Sequence, residues 1–349
     1  MNTLRYVNSN TAVLIFTPTN RRYLTGFPSS LGYLLLTESE NYLFVDGRYF
    51  EAAERSATNV TVLLIKDICQ QINDLLTEKG VTRLLIETEN DIAFLNTLKK
   101  KLSVKVTASA PLSERLLTLR SIKTKEEIDS VTAAQRIAEN AFCDVLEFIK
   151  VGVKERDIAA FLEYRMKLYG SENVAFDTIA VSGANSSLPH GVPSEKAVAE
   201  GDFVTMDFGA RINGYCSDMT RTVAVGYATD EMQRVYNTVL SAQKAVESIA
   251  AAGLSCSDAD KAARDVIANA GYGEYFIHST GHGIGLEVHE IPNLSPRSTG
   301  VKLRRGQLVS NEPGIYLPKK FGVRIEDMLY ITKSGCKNLT KADKSLIIL

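Results

Sequence analysis

Residues 203–222 read Phe-Val-Thr-Met-Asp-Phe-Gly-Ala-Arg-Ile-Asn-Gly-Tyr-Cys-Ser-Asp-Met-Thr-Arg-Thr, and this stretch predicts a β-hairpin. Asn213-Gly214 is the strongest short signal for a two-residue hairpin turn. With that turn Asp207 faces Thr220, and because side chains alternate along a strand, Asp207 and Asp218 project from the same face. Two carboxylates on one face repel each other unless a cation lies between them, so the hairpin predicts a metal site.

The competing interpretation is that both aspartates are solvated hairpin residues. Aspartate is depleted in strands, however, and Phe203, Val204 and Met206 precede Asp207 in a segment that looks buried. Because a buried, unpaired carboxylate is costly, we favour the metal site.

The histidines of this chain are concentrated in two short segments. His190 lies in Leu188-Pro189-His190-Gly191, and the other three, His278, His282 and His289, follow one another closely. Histidine is the residue most often used for proton transfer and metal ligation near neutral pH. We therefore expect all four histidines at one site.

Two further acidic residues complete a candidate ligand set. Glu312 and Glu326 follow the histidines, and Arg324 lies two residues before Glu326. Taken singly, Arg324 and Glu326 could be a surface ion pair worth about 0–1 kcal/mol, and His282 a satisfied core or loop histidine. Together, two aspartates, one histidine and two glutamates suit two metal ions about 3.5–4 Å apart, bridged by carboxylates and a water.

Composition limits the remaining possibilities. At 349 residues the chain is long enough for two domains, and a net charge of −1 gives no reason to expect nucleic acid or an anionic membrane as a partner. No stretch approaches the ~18 apolar residues of a membrane span, and the N-terminus lacks the pattern of a signal peptide. Five cysteines without a Cys-x-x-Cys spacing predict reduced thiols in the cytoplasm.

The pattern of strands and helices differs between the two parts of the chain. Residues 1–115 alternate strands with helices and predict an α/β domain, whereas residues 121–349 group them and predict an α+β domain. The predicted strands are Ala12–Phe16, Leu31–Leu36, Tyr42–Val45, Val60–Ile65, Arg83–Ile86, Thr178–Val181, Phe203–Phe208, Tyr215–Val225, Gln307–Ser310, Val323–Glu326 and Met328–Thr332. The predicted helices are Asp67–Lys79, Asp91–Leu102, Thr124–Lys150, Glu155–Tyr169, Thr229–Ala251 and Ser257–Ala270. Pro111 marks the expected boundary between the domains.

Several motifs together resemble the pita-bread metallopeptidases of family M24, in the Xaa-Pro aminopeptidase and prolidase branch. They are Met206–Gly209, Tyr215–Thr222, Gly281–Glu290, Glu312–Tyr316 and Val323–Asp327, with Arg22–Phe27 and Val45–Tyr49 in the first domain. The resemblance covers nearly the whole chain. It implies a creatinase/prolidase-type N-terminal α/β domain for substrate gating and dimerisation, followed by an α+β pita-bread (creatinase/aminopeptidase) catalytic domain.

The same resemblance implies a role for each site residue. The metal ligands would be Asp207, Asp218, His282, Glu312 and Glu326, with Asp218 and Glu326 bridging two ions, Asp207 chelating one, and His282 and Glu312 holding the other. The other three histidines, His190, His278 and His289, would bind substrate or handle protons, and Arg324 would lie beside the site. The expected cofactor is two divalent ions per subunit, manganese first, with cobalt or zinc as alternatives.

The implied reaction is hydrolysis of the peptide bond between an N-terminal residue and proline by a hydroxide that bridges the two metals. Glu312 would be the general base. The substrates would be Xaa-Pro dipeptides or peptides with proline at the second position, and the enzyme a cytoplasmic homodimer. Whether it is an Xaa-Pro aminopeptidase or an Xaa-Pro dipeptidase stays open at this point. The alternatives are a methionine aminopeptidase-like peptidase, which lacks the N-terminal domain, and a non-catalytic pita-bread binding protein, which typically loses ligands.

Overall fold

The chain divides into two compact units, Met1–Arg120 and Ser121–Leu349, in a computed structural model that describes residues 5–89 and 91–349. The first four residues of the predicted first domain therefore lie outside the described part. The functional ranges proposed from the sequence, 1–115 for gating and dimerisation and 121–349 for catalysis, stay predictions.

The first unit is built on one mixed sheet with the strand order β4-β3-β2-β1-β5-β6. Its strands are β1 (Thr11–Ile15), β2 (Tyr33–Leu36), β3 (Asn41–Val45), β4 (Thr61–Leu64), β5 (Arg83–Ile86) and β6 (Lys105–Ala108). Its helices are α1 (Pro18–Thr25), α2 (Phe50–Ser56), α3 (Ile68–Glu78), α4 (Ile92–Lys101) and α5 (Ala110–Ser121). Successive side chains of each strand point to opposite faces of the sheet, and each face carries its own apolar core. One core contains Leu14 and Phe44, and the other contains Val13 and Leu43. Since both faces of the sheet are covered, its strands read as continuous apolar runs.

Four elements of the first unit were missed by the sequence analysis: α1, α2, β6 and α5. Helices α1 and α2 are short, and β6 carries one buried residue, Val106, so these three show no strong period. Pro111 does not separate the units. It lies in the first turn of α5, where a proline costs no hydrogen bond.

The second unit combines four helices with several antiparallel sheets among its described residues. Its helices are α6 (Lys125–Phe148), α7 (Glu155–Leu168), α8 (Asp230–Ile249) and α9 (Cys256–Asn269). Its strands are β7 (Ile179–Ser182), β8 (Phe203–Phe208), β9 (Arg211–Ile212), β10 (Tyr215–Cys216), β11 (Met219–Ala224), β12 (Gly281–Gly283), β13 (Glu290–Leu294), β14 (Leu308–Asn311), β15 (Gly314–Leu317), β16 (Phe321–Arg324), β17 (Asp327–Ile331) and β18 (Cys336–Asn338). The main sheets have the orders β11-β8-β7 and β13-β12-β14-β17-β18.

Two helix pairs cover these sheets. The pair α6 and α7 packs its apolar side chains with those of β7, β8 and β11 in one core. A second core joins α8 and α9 to residues such as Val309, Val323 and Leu329. Helix α6 begins with the predicted capping box, in which Thr124 and Glu127 each accept a hydrogen bond from the other's backbone N–H. Within the described part of the chain, no helix combines the length and apolar character that a membrane crossing needs.

The hairpin of residues 203–222 has the predicted register, but its second strand is interrupted. Asp207 pairs with Thr220, and Ile212 pairs with Tyr215, which confirms the two-residue turn. The predicted strand Tyr215–Val225 is wrong as a single element, because it breaks between β10 and β11 at Ser217 and Asp218.

The break in the hairpin has a local cause. The hydroxyl of Ser217 accepts a hydrogen bond from the Ala210 N–H at 2.9 Å, and the Ser217 N–H donates to the Ala210 carbonyl at 2.9 Å. A Cβ atom at Gly209 would lie 2.0 Å from the Ser217 carbonyl oxygen, so this close approach requires glycine. The tip of the hairpin, β9 and β10, is consequently a separate two-stranded sheet.

Candidate metal centre and active site

The structure brings the predicted site residues into one cavity of about 760 Å³ within the second unit. The lining includes Asp207, Asp218, His282, Glu312, Glu326, His190, His278, His289 and Arg324. The surface ion pair considered for Arg324 and Glu326 is wrong, because these residues are only 3% and 1% exposed.

Three of the expected ligands are close enough together to hold one metal ion. Asp218, His282 and Glu326 each offer a ligand atom, and these atoms all lie within 4.8 Å of one another. His282 Nδ1 lies 3.0 Å from the Gly283 carbonyl, which can only accept, so this nitrogen carries the hydrogen. Nε2 is thereby directed toward Glu312 Oε1 at 3.2 Å and Asp218 Oδ2 at 3.7 Å. Burial opposes a charge on this ring, but the hydrogen bond to Glu312 outweighs it and raises the pKa of His282; loss of the Nε2 proton leaves the tautomer that a metal-binding histidine needs.

Asp207 and Arg324 form an ion pair at the edge of this group. Arg324 Nη2 donates to Asp207 Oδ2 at 2.7 Å. The second oxygen, Oδ1, is buried and has no hydrogen-bond partner among the described residues. A buried carboxylate oxygen without a partner is costly unless a ligand completes it, so Oδ1 marks a place for a cation.

Crowding of the acids changes their proton affinities. Burial, followed by repulsion from Glu326 and Asp207, raises the pKa of Asp218 well above its ordinary value of 3.8. Burial, followed by repulsion from Glu312 and Asp207, likewise raises the pKa of Glu326 well above 4.5. Burial would also raise the pKa of Glu312, but the hydrogen bond and charge of His282 outweigh it and lower that pKa to about 2.

Two hydroxyl side chains hold the ligands in place. Thr220 Oγ1 donates to Glu326 Oε2 at 2.7 Å and accepts from Arg324 Nε at 3.1 Å. Ser310 Oγ accepts from the His282 N–H at 3.0 Å and donates to Glu312 Oε1 at 3.1 Å. Since Thr220 and Ser310 lie on β11 and β14, the strands themselves set the spacing of three ligands.

His278 belongs to a hydrogen-bond chain that ends at Arg324. Its Nδ1 lies 2.8 Å from the Ser279 carbonyl, and its Nε2 lies 2.8 Å from the hydroxyl of Tyr316. The same hydroxyl accepts from Arg324 Nη1 at 2.7 Å. Burial lowers the pKa of His278, so the ring is neutral, Nδ1–H donates to Ser279 and Nε2 accepts from Tyr316.

The remaining histidines border the open part of the cavity. The ring of His289 meets that of His282 edge-to-face, with centroids 4.3 Å apart. Burial, followed by the neighbouring His282, lowers the pKa of His289. His190 is exposed and lies in the cavity wall with Pro189 and Gly191.

Tyr316, Thr220 and Ser310 are site residues that the sequence analysis missed. Period-two alternation could have found them, because residues two apart in a strand share a face. Ser310 and Glu312 are two apart, Tyr316 lies four after Glu312, and Thr220 lies two after Asp218. A hydroxyl alone, however, is a weak signal for function.

The chemistry of the group fits two divalent cations. It offers four carboxylates and one imidazole, and one carboxylate oxygen lacks a hydrogen-bond partner among the described residues. Burial, followed by the neighbouring acids, raises the pKa values of Asp218 and Glu326. An oxygen-rich site with one imidazole suits manganese, cobalt or zinc.

Comparison with known families agrees with this geometry. The sequence model described as "Metallopeptidase family M24" matches residues 129–333, which is more than half of the chain. The chain belongs to metallopeptidase family M24. A second model, "Creatinase/Prolidase N-terminal domain", matches residues 8–122 of this M24 peptidase.

Individual relatives extend over almost the whole length of this M24 peptidase. It is 42% identical to the Xaa-Pro dipeptidase of Pyrococcus horikoshii over 341 residues, covering 97% of this chain and 95% of the relative. A solved Xaa-Pro dipeptidase from Bacillus anthracis superimposes with a TM-score of 0.93 at 40% identity, covering 97% and 95% of the two chains. An X-Pro aminopeptidase from Thermotoga maritima gives a TM-score of 0.92 at 34% identity and covers both chains completely.

Proposed function

We propose that this M24 peptidase hydrolyses the peptide bond between an N-terminal residue and a following proline. The observation that carries the proposal is the convergence of Asp218, His282 and Glu326 beside Asp207 and Glu312, in a cavity that the other three histidines also line. The named relatives, which are Xaa-Pro dipeptidases and an X-Pro aminopeptidase, supply the preference for proline.

The metal site in this proposal consists of Asp207, Asp218, His282, Glu312 and Glu326. Two divalent ions, when bound there, would lower the pKa of a water and polarise the scissile carbonyl. We take manganese as the first candidate, since the donor set is mostly oxygen. Metal content measured after loading with manganese, cobalt or zinc in turn decides the identity.

Glu312 is the proposed general base. Its carboxylate lies 3.2 Å from His282 Nε2, among the other expected ligands, where it can accept a proton from an attacking water. The hydroxyl of Ser310, at 3.1 Å, fixes the orientation of the carboxylate. Glu312 can then carry that proton toward the leaving nitrogen.

The histidines act on the substrate in this scheme. His190 or His289 donates a hydrogen bond to the carbonyl oxygen as negative charge develops there. His278 orients Tyr316, and through it Arg324, rather than delivering a proton, because its Nδ1–H donates to Ser279 and its Nε2 accepts from Tyr316. Arg324 also orients Asp207 through their ion pair.

A methionine aminopeptidase-like activity and a non-catalytic role are less well supported. The match to the creatinase/prolidase N-terminal domain argues against the first, and the complete ligand set argues against the second. We further propose that the enzyme is a homodimer that works in the cytoplasm. Its five cysteines are all free, as expected in a reducing compartment.

The test is made on protein stripped of metal and reloaded with manganese. Proline release from Ala-Pro is followed beside alanine release from Ala-Pro-Pro, with Ala-Ala as the matched peptide without proline. Cleavage of either proline peptide, lost with a chelator and in Glu312→Gln, supports the proposal. Equal cleavage of Ala-Ala contradicts proline specificity, and no cleavage with manganese, cobalt or zinc contradicts the peptidase.

A further inference from the structure

The wall of the cavity that carries His190 is a loop with its two ends close together. The loop leaves β7 at Ser182 and returns to α7 through Ser194, and we name residues 183–193 the His190 loop. Its residues Pro189 to Pro193 line the cavity. The position of His190 therefore depends on what fixes the two ends of this loop.

Both ends of the loop are hydrogen-bonded to the carboxylate of Glu155. This residue is the first of α7, and its side chain is completely buried. At one end, Oε1 accepts from the N–H of Ser182 at 2.6 Å and from its hydroxyl at 2.9 Å. At the other end, Oε2 accepts from the N–H of Ser194 at 3.1 Å and from its hydroxyl at 2.6 Å. Asn185 Nδ2, inside the loop, lies 3.1 Å from each oxygen.

This arrangement uses the carboxylate as a pure acceptor. Every group that hydrogen-bonds to it is an N–H or O–H donor. An ionised carboxylate matches such a set because both of its oxygens accept and neither donates. A carboxamide would present an N–H to one end of the loop and leave that end unsatisfied. Lys196 strengthens the first end, because its Nζ donates to Ser182 Oγ at 2.8 Å and to Asp202 Oδ2 at 2.6 Å.

The fixed loop also contacts the catalytic group directly. Arg324 Nη1, which shares the Tyr316 hydroxyl with His278, donates to the Pro189 carbonyl at 3.2 Å, next to His190. Glu155 thus holds the loop at its two ends, and Arg324 holds it at Pro189. A shift at Ser182 or Ser194 would move His190 relative to the metal ligands.

We infer that Glu155 is a positioning residue that sets the place of His190 in the active site. This inference rests on the proposed function, since His190 has a task only if a substrate binds in this cavity. Displacement of a catalytic group by about 1 Å can cost about 100-fold in rate, which is the size of effect we expect in kcat/KM. Metal retention should be unchanged, because the hydrogen-bond partners of Glu155 are Ser182, Asn185 and Ser194 rather than metal ligands.

The test is a double-mutant cycle of Glu155→Gln and His190→Ala, with Glu172→Gln as the control. Glu172 also holds a turn, through the N–H groups of Asn213 and Gly214 at 2.8 and 3.0 Å, but this turn is the tip of the hairpin. If Glu155 acts through His190, the double variant is no slower than His190→Ala alone, and Glu172→Gln keeps the wild-type kcat/KM. If the fold-losses in kcat/KM of the two single variants multiply in the double variant, the two residues act independently and the inference is overturned.

A second readout does not depend on activity. The chain has only four histidines, so each ring resonance can be assigned by substitution and followed by NMR in metal-free protein. Glu155→Gln should shift the His190 signals and leave those of His282 in place, and an unmoved His190 overturns the inference. The NMR measurement tests the link between Glu155 and His190 even if no Xaa-Pro peptide is cleaved. If Glu155→Gln does not fold, Ser194→Ala removes one donor and enters the same cycle.

Discussion

Arg324 donates to Asp207 Oδ2 at 2.7 Å, while Asp207 Oδ1 is buried without a hydrogen-bond partner among the residues described. The guanidinium therefore orients the carboxylate and leaves one oxygen for a cation. Because Arg324 is only 3% exposed and also contacts Thr220 and Tyr316, its planar shape matters as much as its charge.

We expect Arg324→Lys to retain metal but to lower kcat about 10- to 100-fold, since an ammonium cannot reach Asp207, Thr220 and Tyr316 together. Metal content and steady-state kinetics on an Xaa-Pro peptide measure the two effects. Arg55→Lys, at a side chain 76% exposed in the first unit, is the control and should behave as wild type. Wild-type turnover in Arg324→Lys would show that charge alone suffices.

Asp218→Asn should have opposite effects on metal binding and on the stability of metal-free protein. Removing one of the crowded acids relieves repulsion with Glu326 and Asp207, so the metal-free variant should melt at a higher temperature than wild type. The same change removes a ligand, so added manganese should no longer raise its Tm. For wild type the gain is about 2.7 kcal/mol at a metal concentration of 100 times Kd. A normal manganese response in Asp218→Asn contradicts its assignment as a ligand.

The contribution of Asp218 and Glu326 to the stability of metal-free protein should fall as pH rises. Asp218 and Glu326 have folded pKa values well above 3.8 and 4.5, so their stabilising contribution is complete below those ordinary values and is lost as pH passes the raised ones. Metal binding needs the deprotonated carboxylates, so the gain in Tm on adding manganese should grow with pH. Thermal melts from about pH 5 to about pH 8, with and without chelator, test both slopes. A metal-free Tm that rises over this range in wild type but not in Asp218→Asn would refute the argument.

Lys123→Met should destabilise the protein by about 3–5 kcal/mol, because it breaks a buried ion pair by removing the cation 2.8 Å from Glu290. The two side chains are 1% and 2% exposed, and Lys123 Nζ lies 2.8 Å from Glu290 Oε2. Lys320→Met is the matched control: its pair with Glu231 spans 2.9 Å, but the side chains are 58% and 41% exposed. That change should cost no more than about 1 kcal/mol. The free energy of unfolding is measured by chemical denaturation. Equal losses in the two variants would show that burial does not decide how much these ion pairs contribute to stability.

Gly209→Ala should destabilise the hairpin by about 1–3 kcal/mol and weaken metal binding. The new Cβ would lie 2.0 Å from the Ser217 carbonyl oxygen, next to Asp218, and backbone atoms cannot yield as a flexible side chain does. Gly335→Ala is the control, since nothing lies within 4 Å of its Cβ among the described residues. Unchanged Tm and manganese affinity in Gly209→Ala would mean that the hairpin relaxes freely.

Local signals in the sequence predicted local features well. The Asn213-Gly214 turn fixed the pairing of Asp207 with Thr220, and Thr124 began its helix as expected. These features depend on residues near one another in the chain, where turn and cap chemistry is decisive. The break at Ser217 was not predicted, because it depends on a hydroxyl replacing a backbone partner.

The pattern of apolar and polar residues could not predict which distant strands pair with each other. The neighbours His282 and Glu312 come together because β12 pairs with β14 through Gly283 and Val309, and β14 pairs with β17. No periodicity within one segment encodes which distant strand it joins. The chemistry of the residue types grouped the five candidate ligands in advance and the family resemblance gave each a role, but neither came from the pairing of the strands.

The turn at the tip of the hairpin lies beyond both acids. Asp207 is anchored by the pairing of β8 with β11, and Asp218 directly precedes β11, so both carboxylates are held by this ladder. Asn213 and Gly214 belong to the separate pair of β9 and β10, and Asn213 is exposed. A fluorescent or spin label attached at position 213 would therefore report on the tip without occupying any position of the ladder that carries the acids.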